Sequence, residues 1–255
     1  MTDSYTGSNK VRTIAPIAVG FFLLWVLLDR SAAWLGSYLG EWGVVVALIV
    51  IAWAIAVELG LTGSKLSLGG LKMMIRRLGL KWPSGIGLTS AVSLGAGLLL
   101  FFPIYAQLSQ ITLSLRPHWA LLAIGLFAQG GIAEELVFRG FLFGHLSEGR
   151  SFWRAAGLAT IPFLVVHLLL FATMSFPVAL SATLLSLAIS FPLAHLYEVS
   201  GRSIVPPAIV HFVVQGAIKL VDVGETELMP MAIAWMGVAA AAPYLLFFVR
   251  RPEAV

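Results

Sequence analysis

The chain has 255 residues with 16 Lys+Arg against 12 Asp+Glu, and 59% of it is hydrophobic. A soluble domain carries about 25% charged residues, and at 11% this chain could not wet its own surface, so its surroundings must be largely lipid. The missing cysteine excludes disulfides, thiolate metal sites and a cysteine nucleophile, and no nucleic-acid partner is expected from the +4 charge, because the cations fall between apolar runs where membrane topology accounts for them.

A bilayer core about 30 Å thick needs about 20 apolar helical residues. In chain order such runs predict eight spans, at 14–28, 43–59, 86–108, 119–144, 156–172, 176–197, 205–220 and 228–249. The first, preceded by Lys10 and Arg12, imitates a signal peptide, but a polytopic chain follows with no convincing cleavage site, so it reads as a retained helix. Between the second and third spans Leu71, Met74, Ile75 and Leu78 recur at helical spacing, with Lys72, Arg76 and Arg77 on other faces. That segment is either a helix lying in the interface with snorkelling cations or an ordinary basic connector. The expected fold is all-α, a polytopic transmembrane helical bundle forming one membrane domain over 1–255.

With the N-terminus inside, twelve of fifteen loop and tail cations fall on the cytoplasmic side, including Lys10, Arg12, Lys65 and Arg251, against Arg30, Arg116 and Lys219 opposite. This bias predicts a multi-pass protein of the inner (plasma) membrane with both termini cytoplasmic.

Ionisable groups inside a span are costly and usually face a bundle interior or a water cavity. The fourth span holds Gln129, Glu134, Glu135 and Arg139, the fifth His167, and the seventh His211 and Gln215. At the rise of an α-helix, Glu134 and His167 lie about 15–17 Å from their cytoplasmic ends and His211 about 9–12 Å. Three helices could therefore bring three titratable groups into one cavity facing the cytoplasm. Glu135 and Arg139, at i and i+4, are expected to neutralise each other. Glu134 points about 100° away without a local partner, which suits a general base. The two histidines can donate, accept or ligate a metal, and Gln215 offers amide donors of the kind an oxyanion requires. Plainer readings hold elsewhere: His145 and His195 are expected as packing residues, Glu58 as solvated or interfacial, and His118 as a loop residue.

Glu134-Glu135-x-x-x-Arg139, Phe163-x-x-x-His167 and His211-x-x-x-Gln215 together resemble the three motifs of the CAAX-protease and bacteriocin-processing (CPBP, Abi) membrane proteases, a group that includes the type-II CAAX prenyl endopeptidases. The resemblance covers roughly 119–216 and implies a catalytic core there. It implies hydrolysis of membrane-associated protein or peptide substrates, with Glu134 and His167 activating water, His211 and Gln215 stabilising the oxyanion, and Glu135 and Arg139 in support. Gln215 stands where the family usually has Asn, which keeps the amide donor but moves it about one bond length. Glu134, His167 and His211 would make a zinc set, but no H-E-x-x-H helix is present, and a metal-free glutamate/histidine mechanism is the preferred reading. Two other functions compete: a non-catalytic membrane partner such as an immunity or assembly factor, and a proton-coupled transporter, for which internal repeats are lacking.

Overall fold

A computed structural model describes residues 14–37, 40–64 and 66–250, and among them nine helices follow the apolar runs in order. They are α1 Ile14–Trp34, α2 Gly43–Thr62, the short α3 Leu68–Arg77, α4 Gly85–Ser109, α5 Trp119–Leu146, α6 Phe152–Ala172, α7 Phe176–Val199, α8 Val205–Leu220 and α9 Glu225–Phe248. Seven are long and apolar enough to cross a membrane, so the chain is an all-α, multi-pass membrane bundle. Leu23, Leu48, Trp53, Ile104, Ile161, Leu184 and Ile233 stand exposed on its outside, an apolar surface suited to lipid. The eighth expected span is the exception. The 16 residues of α8 reach about 24 Å, short of a hydrocarbon core of about 30 Å.

The 64–82 stretch resolves in favour of a helix. Ser67 Oγ accepts from the Gly70 N–H (3.1 Å) and caps α3. Met74 and Leu78 are buried, while Arg76 and Arg77 sit in the last turn, where the helix dipole favours cations.

Contacts between connections sort the helix ends into two sides. The Ile204 N–H donates to Gly79 O (3.0 Å) and the Ser84 N–H to Ser200 O (3.1 Å); Arg77 pairs with Glu148 (2.7 Å). On the opposite side the Arg116 N–H donates to Leu220 O (2.9 Å). There β1 (Ser114–Leu115) also pairs antiparallel with β2 (Val221–Asp222). Short as it is, α8 therefore connects the two sides, with Pro206 and Pro207 of its first turn already buried. His195 Nε2 bonds Val249 O (3.0 Å), which brings Arg250 to the first side. Lys72, Arg76, Arg77, Lys81, Arg150, Arg154 and Arg202 also belong there, against Arg30, Arg116 and Lys219 on the other. Lys10, Arg12, Lys65, Arg251 and both termini, which the topology reading also used, lie outside the described residues.

Two apolar cores fill the bundle. Phe21, Val50, Phe138, Phe141 and Phe163 join α1, α2, α5 and α6. Ala91, Ile189, Val213, Val214 and Trp235 join α4, α7, α8 and α9. Between them lies α5, whose apolar window is 44% buried against 28% for α1, α2 and α6. Its approach to α2 is backbone to backbone: a Cβ on Gly43 would collide with the Gly125 carbonyl oxygen, and one on Gly125 with that of Gly40. Gly125→Val should therefore cost about 1–3 kcal/mol and lower the melting temperature in detergent. Gly97→Ala, whose Cβ meets no atom within 4 Å, should melt like the parent. A Gly125→Val protein as stable as the parent would sink the close α2–α5 contact.

Candidate active site

The winding of α5 positions the acidic pair. It is π-helical over Phe127–Ala133 and Leu136–Phe143, with Glu134 and Glu135 at the α-helical step between these stretches. The Glu134 N–H donates to Gln129 O, five residues back. Such widened turns are rare and gather at functional sites. The 100° step assumed from sequence does not describe this helix. Glycine lets its neighbours close in, since a Cβ on Gly140 would collide with the Leu78 carbonyl oxygen.

Glu135 is fully buried, and its Oε1 accepts from Arg139 Nη1 (2.8 Å) and His211 Nδ1 (2.6 Å). The first bond is the expected i,i+4 pair. The second ties α5 to α8 and has no counterpart in the sequence reading. Arg139 also reaches Ser190 O on α7 (3.4 Å) and lies 5.3 Å from the ring centre of Phe163 on α6. Glu134 is 24% exposed, and its Oε2 stands 3.6 Å from His211 Nε2, beyond hydrogen-bond reach. The Nε2 atom is buried and has no hydrogen-bond partner among the described residues. Glu134 therefore has a neighbour on another helix, although none on its own.

His167 directs Nδ1 to the carbonyl of Phe163, one turn back (2.8 Å). In the neutral ring that bond puts the proton on Nδ1 and leaves Nε2 as an acceptor. It lies within electrostatic range of Glu134, His211 and Arg139, so all three histidine- and glutamate-bearing helices converge. The depth expectation needs correcting. Because α6 starts at Phe152 and not at 156, His167 lies about 22 Å from that end and not about 16 Å. Gln215 is half-buried, one turn beyond His211, and makes no side-chain hydrogen bond within the described residues. As a metal set, Glu134, His167 and His211 do not assemble: no three His, Asp or Glu among the described residues are arranged to hold an ion. Each imidazole engages a protein acceptor through Nδ1 and leaves Nε2 outside that bond.

Other polar residues find partners outside this group. Gln129 Oε1 accepts from Ser37 Oγ (2.8 Å), joining the α1–α2 connection to α5. His195 bonds Val249 O, in keeping with a packing role. Glu58 overturns the solvated expectation: it is 1% exposed and meets His145 Nε2 at 2.5 Å. Both residues sat near span ends in the sequence, and nothing in their spacing of 87 positions signals the pairing.

Residues 116–217 match the model of a family described as Type II CAAX prenyl endopeptidase Rce1-like. The match takes in about two-fifths of the chain and every one of Glu134, Glu135, Arg139, His167, His211 and Gln215. The chain matches no curated protein and no solved structure.

The two adjacent carboxylates should separate on substitution. Glu135→Ala strips Arg139 of its carboxylate and His211 of its acceptor, and breaking a buried pair costs about 3–5 kcal/mol, so little folded protein should accumulate. Glu134→Gln keeps size and polarity at a partly exposed position and should melt like the parent. Size-exclusion yield and thermal melts measure both. A Glu135→Ala protein of parental stability would remove this network from the fold's support.

Proposed function

From the chain's membership of the CAAX-protease (CPBP) family, carried by residues 116–217, we propose that it is an intramembrane endopeptidase hydrolysing peptide bonds of membrane-associated protein or peptide substrates. The observation that carries this reading is His211. Its Nδ1 is locked to Glu135 while its buried Nε2, without a hydrogen-bond partner among the described residues, faces the carboxylate of Glu134. Buried polar atoms are rarely left unpaired, and an orphan aimed at a partly exposed carboxylate is suited to a reacting group.

The proposed chemistry is a metal-free one, carried by the side chains themselves. Water is held between Glu134 and the acceptor Nε2 of His167. Glu134 takes a proton as the water oxygen bonds to the scissile carbonyl carbon. The carbonyl oxygen becomes an oxyanion, which accepts from the Gln215 amide and from His211 Nε2–H. Since Glu135 already takes the Nδ1–H, His211 can donate from Nε2 only as an imidazolium. Glu134, Glu135, Arg139 and His211 then sum to no net charge, an arrangement lipid tolerates. Collapse of the tetrahedral intermediate breaks the C–N bond as Glu134 returns its proton to the leaving nitrogen.

The single-domain organisation, the catalytic core at 119–216 and the cytoplasm-facing cavity belong to the same proposal. So does the orientation. The side gathering Lys72, Arg76, Arg77, Lys81, Arg150, Arg154, Arg202 and Arg250 faces the cytoplasm of the cell inner membrane, as the positive-inside rule requires. Reporter fusions after Pro117 should then read as external, and a cytoplasmic signal there would reverse the orientation.

Purified protein acting on a fluorogenic membrane-tethered peptide tests the chemistry. Glu134→Gln should lose about 10²–10⁴-fold in kcat, the range for a general base, while melting like the parent. Gln215→Leu should lose about 10²–10³-fold in kcat with KM nearly unchanged, as expected for one oxyanion donor. Gln215→Asn should keep a substantial fraction of activity. A fully active Glu134→Gln protein would end the proposal; a Leu variant within about threefold of the parent, far short of an oxyanion donor's contribution, would leave His211 as the sole donor.

A further inference from the structure

Away from the candidate active site, the densest group of charges surrounds a cavity of about 180 Å³ on the basic side, between α3, the end of α5 and the turn after α7. Its cations come from separate stretches: Arg76 and Arg77 from α3, Lys81 from the loop that follows, and Arg202 from the turn. Its acidic groups are already engaged. Buried Glu58 meets His145 and faces Arg77 Nε at 3.5 Å, while Arg77 Nη2 holds Glu148 at 2.7 Å. Arg76, Lys81 and Arg202 have no carboxylate within 4 Å among the described residues.

Arg202 occupies the site from a left-handed backbone, φ +62°, a conformation unfavourable for any residue with a Cβ. Its N–H donates to Tyr197 O (2.9 Å), and its guanidinium donates to Gly144 O (2.7 Å) and Ser147 Oγ (2.5 Å). These acceptors are neutral, and the cavity lining as a whole carries four Lys and Arg side chains against two carboxylates. Burial first, and Arg76 and Arg202 next, hold the Lys81 ammonium below its ordinary range. Three cations crowded on one cavity in this way suit an anion with several acceptor oxygens.

We propose that this cavity binds a phosphate group, supplied by the headgroup of an acidic phospholipid in the leaflet on the basic side. The lipid source follows from the neighbouring surface. Leu66, Leu68, Met73 and Trp82 are exposed along the same segment, and apolar and tryptophan side chains beside cations are at home at headgroup level. Basic pockets between helices at this level hold acidic headgroups. The site is separate from Glu134 and does not depend on proteolysis.

Native mass spectrometry of the full chain in detergent tests this, with dioleoyl phosphatidic acid and dioleoyl phosphatidylcholine as probes and inorganic phosphate as competitor. Phosphatidic acid should be retained at least about tenfold better than phosphatidylcholine. The double variant R76Q/K81Q should bind phosphatidic acid about thirtyfold more weakly, from about fivefold per cation near an anionic surface. The single variant K81Q, about fivefold weaker, gives the same reading should the double variant misfold. R150Q/R154Q removes two cations of the same side outside the cavity and should leave the affinity unchanged. Equal retention of both lipids, parental affinity in the cavity variants, or an equal loss in R150Q/R154Q would each overturn the proposal. Displacement of phosphatidic acid by millimolar inorganic phosphate would keep the phosphate site and overturn the lipid as its source.

Discussion

Glu135 Oε1 accepts two hydrogen bonds at once, from Arg139 on its own helix and from His211 on α8. Arg139 then reaches the Ser190 carbonyl on α7 and the Phe163 ring on α6. Four helices meet through one buried anion and one buried cation. In lipid neither charge could be left alone, because an isolated ion in a low-dielectric interior is far costlier than a paired one. A buried ion pair is a weak source of net stability compared with apolar packing, but removing either member is severe. The pair joins two helices whose apolar residues belong to different cores, α5 to the first and α8 to the second.

The same contact explains why two identical neighbours behave as different residues. Glu135 is fully buried with one oxygen accepting two hydrogen bonds; Glu134 is 24% exposed, with His211 Nε2 at 3.6 Å. The general base proposed at Glu134 needs freedom and access. A group that holds an imidazole in one orientation needs neither. Glu134 and Glu135 stand at the α-helical step between two π-wound stretches, and adjacent helical positions face well apart, so one carboxylate is buried and its neighbour reaches the surface.

Much of this was legible in the sequence. Hydropathy located every long helix, because lipid demands long apolar runs, and the same demand made Glu134, Glu135, Arg139, His167 and His211 conspicuous. Local spacing revealed the Glu135–Arg139 pair. What stayed hidden depends on long-range packing. The Glu135–His211 bond joins positions 76 apart and Glu58–His145 positions 87 apart, and no periodicity encodes either. The π winding was invisible because pattern reading presumes a constant angular step. The depth of His167 was misjudged because Phe152 and Trp153 begin α6 before the strongly apolar stretch does.

In the proposed mechanism His211 and Gln215, on one helix, bring unequal geometry to the oxyanion. The imidazole is held by Glu135 and buried; the amide of Gln215 has no hydrogen bond among the described residues to hold it. Electrostatic stabilisation of a transition state is strongest where donors are already oriented. A Gln in place of Asn adds one rotor, and immobilising a rotor-rich side chain costs about 0.5–1.5 kcal/mol. That cost is smaller than the contribution of about 3–4 kcal/mol from one oriented donor. The substitution therefore weakens the amide without cancelling it. Under that proposal the weight of oxyanion binding shifts onto His211, whose Nδ1 is held by the Glu135 carboxylate.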